Sequence, residues 1–328
     1  MYIKRNVDLK NIIRFGWSAV LGSTALSTVA WFMYEKLGLH WSGIPYAPVA
    51  TIGTAVAVCV GFKNNSAYDR LWEARKIWGE ITNLSRSLAA YLISLTDDDQ
   101  PREKIENIVH RQILFVNVLR TQLRKRAVWE NTQYLRWSKR VCIHRNFEKD
   151  LHDALSGCTN SKELQRLSNV GNPAREIMCI QIASITELKR EGLIDAYEAS
   201  DLNRLCTSLI DQQGKSERIK NFPFPRQYAC LSEMFVYLFV VLLPFGLLPE
   251  FAELNSDVTW IVIPLSALIA WIFTSMEQAG DTSENPFENG INDVPMTAIC
   301  RQIEIDLLEM LGEQGLPPPV ADTEYVLM

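Results

Sequence analysis

Thr54, Val58 and Phe62 recur every four residues in the apolar run TIGTAVAVCVGF (residues 51–62), and Gly53, Ala57 and Gly61 do so on the adjacent line. At 3.6 residues per turn, each set lies along one side of a helix, the two lines about 100° apart. Small residues let helix backbones approach closely in an apolar medium. A column of weakly polar and apolar side chains ending in an aromatic ring fits two roles. It packs against neighbouring helices, or, repeated around an axis, it forms hydrophobic rings that gate ion passage by dewetting. The pattern alone leaves both open, and neither is bond-making chemistry.

Residues for bond-making chemistry are scattered. His40, His110, His144 and His152 stand apart from any nucleophile, and there is no phosphate-binding loop. We expect no enzyme. The seven cysteines are spread singly with no CxxC, which argues against a disulfide framework and suits a reducing compartment. Cys142, His144, His152 and Cys158 come nearest to a metal cluster, but their spacing fits no standard zinc pattern. The net charge of −5 and the lack of a basic tract give no reason to expect a nucleic-acid partner.

The elements that must carry the column follow from hydropathy. Of 328 residues, 48% are hydrophobic. Four apolar segments stand out, at about 15–34, 46–62, 228–248 and 258–276. About 20 apolar residues cross a bilayer core as a helix. The second segment is short and rich in small residues, and the third carries Glu233 near its inner end. The first has the basic flank of a signal peptide, but its length and aromatic residues fit a span better. Lys4, Arg5, Lys10 and Arg14 precede the first segment, Lys63, Arg70, Arg75 and Lys76 follow the second, and Lys215, Arg218, Lys220 and Arg226 precede the third. The two short links between paired segments hold only Lys36. The positive-inside rule then puts both termini and the middle in the cytoplasm.

The middle reads as helical and solvated from Lys63 onward. Tyr68, Leu71, Trp72, Trp78, Ile81, Leu84, Leu88, Tyr91, Leu92 and Leu95 form one stripe expected to be buried. Trp72 and Trp78 divide between an interfacial belt and a core. Arg70–Glu73 and Lys76–Glu80 are spaced to support a solvated helix. TDDDQP (96–101) ends it, with Asp99 as a cap for the next, whose stripe is Ile105, Ile108, Ile113, Leu114, Val118 and Leu119. NVGNPAR (169–175) is a turn, and Pro173 opens a further helix. No break marks Gly61-Phe62, so one helix is expected to run from the second span into water. The expected fold is all-α: an N-terminal segment with spans one and two (1–62), a helical cytoplasmic domain (63–227), spans three and four (228–276), and a cytoplasmic C-terminal segment (277–328).

Three stretches resemble the bestrophin family. GFKNNSAYDRLWEARKIWG (61–79) is similar to its Gly-Phe, Arg/Lys-Asn-Asn, Tyr-Asp-Arg-x-Trp-Glu pattern. GKSERIKNFPFP (214–225) resembles its Gly-x-x-Glu-Arg-Ile-x-Asn-x-Pro-x-Pro segment, and ENPFENGINDVP (284–295) its Glu-Asn-Pro-Phe-Gly-x-Asp-x-Asn-Asp-Leu-Pro segment. The resemblance implies a homopentameric ion channel around one central pore, a bestrophin-like channel of the bacterial inner membrane. It places the three rings of the pore neck on Thr54, Val58 and Phe62. Thr54 departs from the family, where a bulky aliphatic is usual, which implies a wetter outer ring. A second, cytoplasmic aperture falls on Tyr197, with Ile194 as the other candidate in EGLIDAYEA (191–199). The family's calcium site maps onto Asn285 and Asp293, but Gly290 and Thr282 stand where two further ligands are expected. With two ligands lost, the resemblance implies no required cofactor and at most a weak divalent-cation site. A polar turn capping helices through Asn and Asp side chains accounts for the same stretch.

On this reading ions enter from outside, shed part of their hydration at Thr54, Val58 and Phe62, cross a cytoplasmic vestibule and leave past Tyr197. Conduction is passive, and the partners are further copies of the chain, lipid and permeant inorganic ions. The family favours chloride. A cation-selective channel of the same architecture is the first alternative, because apolar rings discriminate ion sign weakly. A membrane-anchored helical scaffold without a pore is the second, and it would show an exposed apolar patch on its cytoplasmic half.

Overall fold

The computed structural model describes residues 16–95, 102–125, 147–155, 161–290, 292–322 and 327. Every regular element among them is helical. In chain order they are α1 (Trp17–Trp31), continued by a π turn (Phe32–Lys36), α2 (Tyr46–Ser94), α3 (Arg102–Leu123), α4 (Phe147–Leu155), α5 (Ser161–Ser168), α6 (Pro173–Arg190), α7 (Ala196–Asn221), α8 (Arg226–Leu254), α9 (Val262–Ser283) and α10 (Met296–Met310). Asp99, Cys142, His144 and Cys158 lie outside the described residues.

The chain divides into two compact units. Among the described residues, one lies within 16–69 and 223–284, the other within 70–222 and 285–327. Helix α2 runs unbroken for 49 residues and contributes to both. No Pro follows Pro48 and no turn cluster interrupts it, so nothing in the sequence ends the helix where apolar residues give way to charged ones.

Among the described residues, three helical stretches are long and apolar enough to cross a membrane, within His40–Ser94, Arg226–Leu254 and Asp257–Ser283. The segment expected as the first span is described from Gly16 onward, as the 15-residue α1 and its five-residue π turn. Helix α1 packs on α9 and α8, and α8 packs on α9. Val49, Val56 and Val60 of α2 join Val236, Phe239, Leu243 and Leu247 of α8 in one core. Pro249 sits inside α8 and lacks the N–H that would bond the carbonyl of Phe245. That carbonyl accepts the Ile44 N–H instead, at 3.0 Å. A backbone group orphaned in an apolar medium would be costly, and the segment before α2 satisfies it.

In the other unit, α3 is the central helix: it packs on α4, α6, α7 and α10. Ile105, Ile108, Ile113, Leu114, Val118 and Leu119 are all buried, as their spacing predicts. Asn172 caps α6 by accepting the Arg175 N–H at 3.1 Å, and Pro173 occupies the first turn. Asp195 and Glu198 form a reciprocal capping box on α7. At the other end of α7, Arg70 donates to the carbonyls of Ile219 (2.9 Å) and Phe222 (3.1 Å). A guanidinium there satisfies terminal carbonyls and opposes the negative helix end.

The stripe expected on α2 is partly corrected. Leu71, Trp78, Ile81, Leu88 and Leu92 are buried, but Tyr68 and Trp72 are exposed. Glu73 pairs with Arg218 of α7 rather than serving a helix-surface pair with Arg70. Lys63 is not the first solvated residue of the helix. Its side chain is 2% exposed.

Candidate functional site

Along α2 the buried face is Val49, Gly53, Val56, Val60, Lys63 and Ala67, repeating at three and four. Helical geometry turns the residues between them outward. Thr54 is exposed, Val58 is 53% exposed and Phe62 63% exposed. All three expected neck residues therefore share one face that the chain's own packing leaves uncovered. Thr54 donates its hydroxyl to the Ala50 carbonyl at 3.0 Å, which uses its polar hydrogen inside the helix. It presents a methyl group and spare oxygen lone pairs, a less polar surface than a free hydroxyl.

The small-residue line splits. A Cβ built on Gly53 would lie 2.6 Å from the Phe239 ring, so α2 and α8 touch there. They also meet at Gly246, where a Cβ would lie 2.9 Å from Val49. Ala57 and Gly61 are exposed, and among the described residues no side chain or neighbouring helix lies within 4 Å of a Cβ on Gly61. Among the described residues, Gly53 is the member of this line that packs closely on another helix.

Just below Phe62 the buried face becomes ionic. Lys63 pairs with Glu277, lies 3.3 Å from Asp281, and Glu277 also accepts the Ser232 hydroxyl at 2.9 Å. Just past the end of α9, buried Glu284 pairs with Arg226 at 2.8 Å. The Asn64 side-chain oxygen rests over Gly280, where a Cβ would be 2.2 Å away. Sequence reasoning missed this cluster. Its signal was Glu277, Asp281 and Glu284 at i, i+4 and i+7 closing an apolar segment.

In the other unit, the two aperture candidates part company. Tyr197, in the first turn of α7, is 83% exposed. Ile194 is 7% exposed and belongs to the hydrophobic core, so its side chain is not available to line an opening.

Asn285 and Asp293 lie in the turn between α9 and α10. Asp293 is buried and accepts the Gly290 N–H at 2.7 Å. Val294 N–H bonds Pro286 carbonyl at 3.0 Å, closing the turn. Asn289 adopts φ 70°, a conformation Asn tolerates better than most residues. Its side-chain oxygen accepts from Arg124 at 2.6 Å. Burial pushes the Asp293 carboxyl up to about 6, opposed by backbone N–H groups of Gly290 and Glu288 and by the Lys220 charge. Among the described residues no group of three His, Cys, Asp or Glu side chains is arranged to hold a metal. Asn285 and Asp293 do not by themselves supply the oxygens a calcium ion needs.

Known proteins place the chain. The family described as "Bacterial/Fungal Bestrophin protein" matches residues 10–309. The voltage-dependent anion channel-forming protein YneE of Escherichia coli (strain K12) is 30% identical over 295 residues, covering 90% of this chain and 85% of that one. The voltage-dependent anion channel-forming protein mll4386 of Mesorhizobium japonicum is 28% identical over 310 residues, covering 94% and 87%. A crystal structure of a bacterial bestrophin homologue from Klebsiella pneumoniae superposes with TM-score 0.75 at 25% identity, covering 90% of this chain and 98% of that one. With most of its length matched, the chain belongs to the bacterial/fungal bestrophin family.

Proposed function

We propose that this chain is one subunit of a passive, anion-conducting membrane channel. It assembles as a homopentamer, with four spans per subunit and both termini on the cytoplasmic side of the inner membrane. The observation that carries the reading is the uncovered face of α2. An apolar helix presents Thr54, Val58 and Phe62 in register, outside the chain's own core. Five copies of that face around an axis make three stacked rings, the outer one wetter than the inner two. The relatives named as anion channel-forming proteins support the sign of the ion. The exposed Ala57 and Gly61 are suited to close contact with a neighbouring copy.

Tyr197 forms the second constriction in this reading, giving a polar, hydrogen-bonding rim. Ile194 is set aside because its side chain is buried. Any divalent cation at Asn285 and Asp293 binds weakly, because the Asp293 carboxylate is already engaged by the turn.

The test is reconstitution of the purified protein in liposomes with a native-mass measurement in detergent. The reading expects a five-copy mass and a reversal potential that follows the chloride gradient. A monomeric mass or no flux would overturn it, and a reversal potential following potassium would give the pore to cations.

A further inference from the structure

The Lys63 cluster does not belong to the exposed column, yet it sits one residue from its end. In a helix, consecutive residues are 100° apart, so fixing the direction of one side chain fixes all others on the same rigid segment. Lys63 is the most fully buried charged side chain of α2, and both its acidic partners lie on α9. Ser232 of α8 holds the second oxygen of Glu277, so three helices meet at this point. The contact adds a directional, ionic element to the apolar packing of Val56 and Val60 on α8 above it. Gly280 adds a steric element: the Asn64 oxygen fills the space a side chain would take. Arg226 and Glu284 tie α8 to the end of α9 in the same way.

We propose that Lys63, Glu277 and Asp281 form a rotational lock on α2. By holding Lys63 inward, the lock holds Phe62, and with it Val58 and Thr54, on the outward face. These are positioning residues for the proposed neck, and their role in conduction rests on the channel reading above.

The test separates rotation from conduction. Single cysteines at Val58 and Val60 are labelled with a small methanethiosulfonate in detergent, and each position is read by peptide mass spectrometry. With the lock intact, Val58→Cys reacts at least tenfold faster than Val60→Cys. In the neutral variant Lys63→Met/Glu277→Gln/Asp281→Asn, which keeps side-chain volume without leaving a lone buried charge, this contrast falls to less than threefold. Lys63→Arg, which keeps the charge and its partners, preserves it. Chloride flux of the neutral variant, assembled to the same native mass, changes by at least tenfold. If the neutral variant assembles and keeps the labelling contrast, the lock is refuted whatever its flux; contrast lost with flux unchanged supports the lock and overturns its role in conduction. If it fails to assemble, the swap Lys63→Glu/Glu277→Lys combined with Asp281→Asn, which removes the carboxylate that would otherwise face the new one, decides: contrast retained supports the lock, and contrast lost refutes it. A wild type without flux would sink the channel reading alone, because the labelling contrast needs no conduction.

Discussion

Replacing Gly53 with alanine tests the packing that aims α2. The new Cβ would lie 2.6 Å from Phe239 Cε2 and 2.9 Å from its Cζ. Carbon atoms prefer about 3.5–4.0 Å, so ring or helix must give by roughly 1 Å. The ring has little freedom to do so. Phe239 is buried, and its centroid is 4.8 Å from that of Phe273 at an interplanar angle of 55°. Overpacking of this kind costs about 1–3 kcal/mol. Alanine's better helix propensity returns up to about 1 kcal/mol. Gly79→Ala on the same helix is the control, because nothing lies within 4 Å of its added Cβ and only the propensity gain applies. Thermal unfolding in detergent, followed by loss of the size-exclusion peak, should rank Gly53→Ala below Gly79→Ala by several degrees. Equal or reversed melting points would refute the close approach of α2 and α8 at this position.

Further outcomes follow from the same geometry. Ile194→Ala, in the core, should destabilise the protein by about 2–5 kcal/mol. Tyr197→Ala should leave the melting point within a degree or two while changing liposome flux. Asp293 titrates near 6 in the folded chain and nearer the ordinary carboxylate value when unfolded. The folded state therefore holds this proton more tightly, so the Asp293 contribution to stability is fully present below about 4, is lost as pH rises through about 6, and is level above. Asp293→Asn should remove that component of a pH-dependent melting curve. Calcium below millimolar levels should leave the melting point unchanged, and a shift of several degrees at micromolar calcium would contradict the weak site.

Much of the fold was legible because its signals are periodic or local. The run from Tyr46 to Ser94 contains no helix breaker beyond its first turn, and it is one helix. Pro173 marked a helix start, and the structure adds the side-chain cap from Asn172 before it. The column of Thr54, Val58 and Phe62 was visible as a spacing. Which side of the helix it occupies was not, because both faces of that stretch are apolar, and only the partners of Val56 and Val60 decide it. Lys63 was misread for a different reason. A lysine ending an apolar run ordinarily marks the water boundary, and its burial depends on acids 214 and 218 residues away in sequence. Tyr68 was misplaced because a bulky aromatic fits a core stripe and an interface equally well. Ile194 and Tyr197 differ by less than one helical turn, and the capping box at Asp195 sets which one turns inward.

The central claim is that Val58 and Phe62 form the narrow, apolar part of a conducting path. Chloride flux into liposomes should be compared for the wild type and for Val58→Ala/Phe62→Ala, at equal reconstituted native mass. Flux through the double variant should be severalfold greater, because smaller side chains widen the rings and let them wet. Unchanged flux, in a protein that assembles and conducts, would place the constriction elsewhere and contradict it.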